Sequence, residues 1–247
     1  MVLPWIVHRS WWALALAWVA PTVAQEPGCS PWPPEPLTHL YQVQGRASGF
    51  PYQARARIDW QPLPDARYKL TYEVKAMLGQ SRRQTSEGRL MAKNLEPHRF
   101  TDQGRRTLVT EVRPDQGLVI LPAQAQPQLW EAGTQDKISH WAQLGGWVAC
   151  PSTPAPTAWG LRVWGSGETE NWKIRVLGTD AVATPWGQQM AIRLQRPAGM
   201  GGEARIDWWY VPAWGHLPVR IRVEQSNGDF ADQQLVERQP APSAAAR

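Results

Sequence analysis

The chain has little of what a catalytic or metal centre is ordinarily built from. Its 247 residues include two cysteines and five histidines. His39, His98, His140 and His216 form no His-x-x-x-His pair and have no acidic partner at zinc-ligand spacing, so no metal site is read and no cofactor is expected. Gly165-Ser166-Gly167 lacks the five-residue elbow that exposes a nucleophilic serine. Ser139 and His140 adjoin, but on a helix their side chains diverge. Gly199, Gly201 and Gly202 lie between two strand patterns, with no helix start after them to hold a phosphate. Asp59, Glu73, Asp207 and Glu224 sit beside Arg or Lys on polar strand faces, where surface ion pairing accounts for them. No catalytic residues are assigned, and no enzyme is expected.

Charge of one sign and long apolar runs are also scarce. Trp11–Ala20 is the longest apolar run and is about half of what a spanning helix needs. His8 and Arg9 precede it and Pro21-Thr22-Val23-Ala24 follows, the layout of a secretory signal peptide cleaved near Ala24. Residues 1–24 are thus read as a leader, which makes the remainder periplasmic. Cys29 follows Glu26-Pro27-Gly28 rather than a lipid-attachment pattern, so no lipid anchor is read. Beyond the leader, 25 basic residues face 21 acidic ones, a net charge of +4. That is too dilute for a nucleic-acid binder. It allows attraction to an anionic envelope surface, with Arg55, Arg57, Arg82, Arg83, Arg105, Arg106, Arg220 and Arg222 as candidates for a basic face. Amphipathic strands alone would place these arginines similarly. Cys29 and Cys150 both lie in the exported part, either as a disulfide or as two free thiols.

What is present is alternation. In 203–211, Ile206, Trp208 and Tyr210 share one face, and Arg205, Asp207 and Trp209 the other. Pro212–His216 breaks the pattern. Leu217, Val219, Ile221 and Val223 then alternate with Arg220, Arg222 and Glu224, and Asn227-Gly228 is a hairpin signal in which both central residues need positive φ. Asp229–Val236 closes this three-strand meander. Tyr52, Ala54, Ala56, Ile58 and Trp60 form an earlier apolar face, and Tyr68, Leu70, Tyr72, Val74 and Ala76 the next. Ser81–Leu90 is a polar partner or edge strand. Shorter strands are expected near 99–102, 107–113 and 118–121, and again at 159–164, 171–178 and 188–196. Ala-Arg-Ile-Asp-Trp occurs at 56–60 and at 204–208 with unmatched flanks, either coincidence or two similarly placed strands.

Thr134-Gln135-Asp136 reads as a helix start, Ile138, Trp141, Ala142 and Leu144 as an apolar stripe, and Gly145-Gly146 as its end. One such short amphipathic helix must lie on the sheet. Twelve tryptophans remain beyond the leader. Trp208 and Trp209 point to opposite faces of one strand, and Trp130, Trp141 and Trp147 cluster about the helix. A helix-covered cleft or plain core packing both fit this pattern.

Tyr41–Gly49, Gln135–Ser139, Thr184–Gly187 and above all Trp209–Leu235 give the chain a resemblance over most of its exported length. It resembles the exported proteobacterial proteins of domain of unknown function 3108. The resemblance implies a periplasmic β-rich domain and assigns no catalytic residues.

The resulting expectation is a mainly β fold, a strongly curved antiparallel sheet or open β-barrel with one short helix packed across it. Residues 25–37 form an extended Pro-rich lead-in, 38–236 a single β-rich domain and 237–247 a disordered tail. The expected function is noncatalytic binding of a lipid or hydrophobic small molecule in a Trp-lined cleft of Trp130, Ile138, Trp141, Leu144, Trp147, Trp208 and Trp209. The alternative is an envelope scaffold or protein-interaction module. No nucleic-acid partner is expected, and no transmembrane segment in the mature chain.

Overall fold

Strict two-residue alternation lets one side of a long sheet be apolar and the other charged, and it organises the whole chain. The computed structural model describes residues 29–239 except 77, 78, 80, 153, 154 and 215; the expected leader and residues 240–247 lie outside them. The first half contains β1 (Leu37–Ala47), β2 (Phe50–Leu63), β3 (Arg67–Ala76), β4 (Ser81–Leu90) and β5 (Leu95–Gln103). It continues with β6 (Thr107–Arg113), β7 (Leu118–Ile120), β8 (Gln128–Leu129) and β9 (Gln135–Asp136). Helix α1 (Ser139–Ala149) follows, then β10 (Ala158–Trp164), β11 (Thr169–Thr184), β12 (Gly187–Arg196), β13 (Arg205–Tyr210), β14 (Arg220–Glu224) and β15 (Phe230–Gln239). All 15 strands join in one sheet, ordered β8-β7-β6-β5-β4-β3-β2-β1-β15-β14-β13-β12-β11-β10-β9. Pairing is antiparallel except between β9 and β10. Pairing β1 with β15 sets the first and last strands side by side in the middle of the sheet.

The sheet coils without closing into a barrel. Its ends overlap: Phe100, facing inward from β5, lies 6.1 Å from the Trp164 ring of β10. Thr110 of β6 donates a 2.8 Å hydrogen bond to the Gly165 carbonyl. Both terminal strands, β8 and β9, are two residues long, and β9 covers only Val163 and Trp164 of β10.

The apolar faces read from the sequence point into this coil. Ile58, Trp60, Tyr68, Leu70, Trp208 and Tyr210 are fully buried, and a large apolar side chain buried in this way contributes roughly 1.5–3 kcal/mol. Trp60 stacks on Tyr68 with ring centroids 5.5 Å apart. The repeated pentapeptide has one job in both places. Arg57 pairs with Asp59 at 2.7 Å and Arg205 with Asp207 at 3.1 Å on the outer face, while Trp60 and Trp208 point inward. β4 is paired on both sides, with β3 and β5, so it is a partner strand and not an edge.

Four expectations need correction. The helix packs across the coil as expected, but it is not amphipathic with one wet face: every residue of α1 except Trp147 and Ala149 is buried. Tyr72 meets Trp141 edge-on at 4.9 Å, Tyr210 donates to the Trp141 carbonyl at 2.9 Å, and the Gln143 side chain accepts from Leu95 N–H at 2.7 Å. Gly145 and Gly146 do not end the helix but lie within it. A β-carbon on Gly146 would be 2.7 Å from the Pro31 carbonyl oxygen, so their smallness admits the surrounding backbone. Second, Gln135 and Asp136 form a short strand, and the helix starts at Ser139. Asp136 still acts as an acceptor at that start, taking the N–H groups of Ile138 at 2.9 Å and Ser139 at 2.7 Å. Third, in the 225–228 turn only Gly228 has positive φ (84°). Its N–H reaches the Gln225 carbonyl at 3.0 Å, giving a three-residue loop with a glycine bulge in place of the two-residue turn. Fourth, β15 runs to Gln239, so residues 237–239 are strand.

The lead-in is fastened from two sides. Cys29 and Cys150 are joined in a disulfide with Cα atoms 5.7 Å apart. Trp32 is buried and donates to the Met91 carbonyl at 2.9 Å.

Candidate functional site

Beside the N-terminal half of α1 the coil is not filled, and a cavity of about 640 Å³ remains. This lies within the range of small-molecule sites. Its apolar wall comes from Phe100, Trp141, Trp172, Ile206, Ile221 and Val223. The strand register puts these side chains together: Ile206 pairs with Val223, and Trp208 with Ile221. Polar groups occupy the same inward positions nearer the strand ends, where β4 contributes Arg82 and Gln84 opposite Val74 and Tyr72.

Five of the charged groups lining the cavity are paired with one another. Arg82 grips Asp102 with two hydrogen bonds, one of 2.8 Å from Nε, and Gln84 adds a third at 3.2 Å. Lys137 pairs with Glu170. The other Glu170 oxygen accepts from Trp172 Nε1 at 2.9 Å and from Arg196 at 3.1 Å. Burial alone would raise the Glu170 carboxyl, but the hydrogen bonds from Lys137 and Trp172 and the charges of Lys137 and Arg196 outweigh it and hold it low. Lys137 Nζ and Arg196 Cζ lie 5.1 and 4.7 Å from the centre of the Trp172 ring, within cation–π range.

His140 is different. It lines the cavity, is 2 % exposed and sits among the rings of Trp172 at 5.0 Å, Trp208 at 5.4 Å and Trp141 at 5.7 Å. Its Nδ1 lies 3.2 Å from the Asp136 carbonyl oxygen. A carbonyl only accepts, so Nδ1 carries the hydrogen. Burial pushes the imidazole pKa down to about 3, which leaves the ring neutral. Nε2 is then a bare acceptor, and it has no partner among the described residues.

The residues expected to share a cleft are divided. Trp141 lines the cavity. Trp208 stands behind His140, fully buried. Ile138 and Leu144 are core residues of the helix region. Trp147 packs against Trp159 at 5.2 Å. Trp130 is half-buried at the rim of the core beside β8, its N–H bonded to the Gly117 carbonyl. Trp209 faces outward, yet is only 5 % exposed. It lies beneath Arg193 and Arg220, 5.1 and 4.8 Å from its ring centre, and donates to Asp180 at 3.0 Å. The sequence reading missed Phe100, Asp102, Glu170 and Arg196 as site residues. Their inward direction could be read from alternation, but their convergence depends on how far the sheet coils.

A groove of about 790 Å³ runs over the outer face of β1–β3, lined by residues such as Gln53, Arg55, Arg57, Glu73 and Lys75. It is larger, but its charges are solvated and paired, and it presents no buried group in need of a partner. The inner cavity is therefore the better candidate. Among the described residues, no three His, Cys, Asp or Glu side chains are grouped to hold a metal, and no helix is long and apolar enough to cross a membrane.

Comparison with solved structures finds the same fold in the crystal structure of a β-barrel-like protein of domain of unknown function DUF1849 from Brucella abortus. The TM-score is 0.56 at 11 % identity, over 84 % of this chain and 98 % of that one. No curated protein matches the chain. A family model matches residues 41–235, a span that takes in the coil, its buried helix and the cavity, and the chain accordingly belongs to the family described as protein of unknown function (DUF3108).

Proposed function

We propose that the chain is an exported, noncatalytic binding protein that takes a hydrophobic or lipid-like small molecule into the cavity beside α1. The observation that carries this reading is the cavity itself, with its apolar wall of Phe100, Trp141, Trp172, Ile206, Ile221 and Val223. An acyl chain or a similar apolar body would gain about 25 cal/mol for each Å² it removes from water there. A noncatalytic role is supported by Arg82, Asp102, Lys137, Glu170 and Arg196, which are engaged with each other, and by His140, whose Nε2 has no hydrogen-bond partner among the described residues. Export to the periplasm is supported by the leader pattern and by the Cys29–Cys150 disulfide, a bond that persists in oxidising compartments.

The test is titration of delipidated, refolded protein with a brominated monoacylglycerol while tryptophan emission is followed. Saturable quenching is expected in the wild type, and its loss in Val223→Trp, where the cavity is filled. Absence of quenching in the wild type would refute the reading.

A second reading, a protein-interaction module, has one specific observation in its favour. At the tip of the β11–β12 hairpin, Trp186 is 50 % exposed and meets Trp214 edge-on at 5.2 Å. Crosslinking in cells that captures one protein partner at Trp186, from material carrying no small molecule, would favour it.

A further inference from the structure

We infer that the notch between Trp186 and Trp214 receives a short, acidic, proline-bearing segment of another protein, with a carboxylate of that segment on Arg238. This rests on the second reading above and names the chemistry of the partner; it is independent of the cavity beside α1. Three observations lead to it.

The notch is built in advance from three distant parts of the chain. Trp186 stands at the tip of the β11–β12 hairpin, where its N–H is bonded to Thr184 Oγ1 at 3.2 Å and its carbonyl accepts from Gln189 at 3.3 Å. The hairpin is itself held against the outer face, with Val182 buried and Asp180 bonded to Trp209. Trp214 closes the turn after β13, its N–H on the Val211 carbonyl at 2.9 Å, and Arg238 belongs to β15. Together the three side chains line a space of about 330 Å³. Rings fixed in this way have little freedom left to lose when a ligand arrives.

The second observation is charge. No carboxylate lines the notch, and Arg238 makes no ion pair among the described residues. Glu237, next to it in sequence, lines the outer groove of β1–β3 instead. The cations of the inner cavity are committed to carboxylates, whereas this guanidinium is open to the acid of a partner and repels a cationic one.

The third is size. A site of three side chains gains little on binding, so its occupant must give up little in becoming ordered. Proline arrives with φ already set, and segments that carry it favour an extended form before they bind. Its apolar ring suits the corner between two indoles whose planes meet at 87°, as proline-rich segments suit aromatic-lined grooves elsewhere.

The probes are three blocked pentapeptides, Ala-Pro-Glu-Pro-Ala, Ala-Pro-Gln-Pro-Ala and Ala-Ala-Glu-Ala-Ala, and digalacturonate, which carries its acids on sugar rings. Each is titrated at low salt into protein with 15N-labelled tryptophan. Saturable shifts of the Trp186 and Trp214 indole N–H signals are expected with the first peptide. It should bind about two- to fivefold more tightly than its glutamine analogue, the scale of one exposed ion pair, and more tightly than the proline-free peptide or the sugar. Arg238→Gln should bring the preference for glutamate to near one, and Trp186→Ala should abolish the response at Trp214. Both side chains are exposed, and the wild-type comparison needs neither variant. Equal binding of the glutamate and glutamine peptides by the wild type would overturn the inference, as would equal binding of the proline and alanine peptides, tighter binding of digalacturonate, or no binding. Indole shifts that appear on concentrating the protein alone would overturn it in favour of a second copy, and shifts caused by truncation after Gln239 in favour of residues 240–247. Crosslinking at Trp186 that captures a protein partner after any such result leaves the second reading standing without this inference; no capture removes both.

Discussion

The backbone of Gly145 lies flat against the main-chain carbonyl of His216, so that a β-carbon on Gly145 would come within 2.5 Å of the carbonyl carbon. The helix can occupy the centre of the coil because it is thinnest where the His216 backbone meets it. Gly145→Ala should therefore destabilise the fold even though alanine favours a helix by roughly 1 kcal/mol. Overpacking costs typically about 1–3 kcal/mol, and the net effect is a lower urea midpoint. An unchanged or raised midpoint would mean that the helix packs more loosely than described.

The disulfide ties the lead-in to the C-terminal end of this helix across 121 residues. Removing such a bond commonly costs about 2–5 kcal/mol. Cys29→Ser/Cys150→Ser should lower the urea midpoint accordingly, and reductant should do the same to the wild type. Coincident curves with and without reductant would contradict this.

Acid should weaken the fold before most carboxylates titrate. Burial, assisted by the charge of Arg238, lowers the His39 pKa to about 3, and burial likewise lowers that of His140 to about 3. Unfolded imidazoles titrate near 6.5. Between these limits the unfolded state holds the extra protons, so the stability that these histidines contribute is complete above about pH 6.5 and is lost as pH falls. Asp136 acts in the opposite sense. Burial, only partly offset by hydrogen bonds from Ser86, Ser139 and Ile138, raises it to about 6. Its penalty is present above pH 6 and is relieved as pH falls towards 4. Two imidazoles, with His216 lowered by burial in the same sense, outweigh one carboxyl and leave a net loss of stability as pH falls from roughly 6 to 4. Asp136→Asn removes the compensation and should steepen the fall. Urea midpoints at several pH values check both slopes, and a flat profile would refute them.

Neighbouring tryptophans should behave differently. Trp209→Phe removes the hydrogen bond to Asp180 on the outer face, a loss of about 1 kcal/mol in stability, and should leave cavity binding unchanged. Trp172→Phe alters the cavity wall and removes one of the two hydrogen bonds to an oxygen of Glu170, so it should weaken binding of a hydrophobic ligand. Equal effects of the two substitutions on binding would place the ligand elsewhere.

Much of this was legible in the residues. Alternation assigned Trp208 to one face and Trp209 to the other, and Ile58 and Trp60 to the core, because a strand offers only two directions. Cladding of the outer face was not legible: Asp207 is 1 % exposed there because Arg205 of its own strand and Arg193 and Gln195 of the neighbouring strand close over it. The helix misled for a similar reason. Its polar Ser139, His140 and Gln143 suggested a wet side, but each is used inside, Gln143 bridging Leu95 and Lys93. Polarity in a sequence shows that a group needs a partner, not that the partner is water. The cavity was partly legible as a tryptophan cluster near the helix. Asp102 and Arg196, nearly a hundred residues apart, could be joined to it only by the coil.

Native mass spectrometry of the protein, purified gently from cells and compared with Val223→Trp, tests the central claim most directly. A small hydrophobic or lipid-like molecule should accompany the wild type and be missing from the filled variant. A wild type that travels bare, or a bound mass that survives filling of the cavity, would contradict the account.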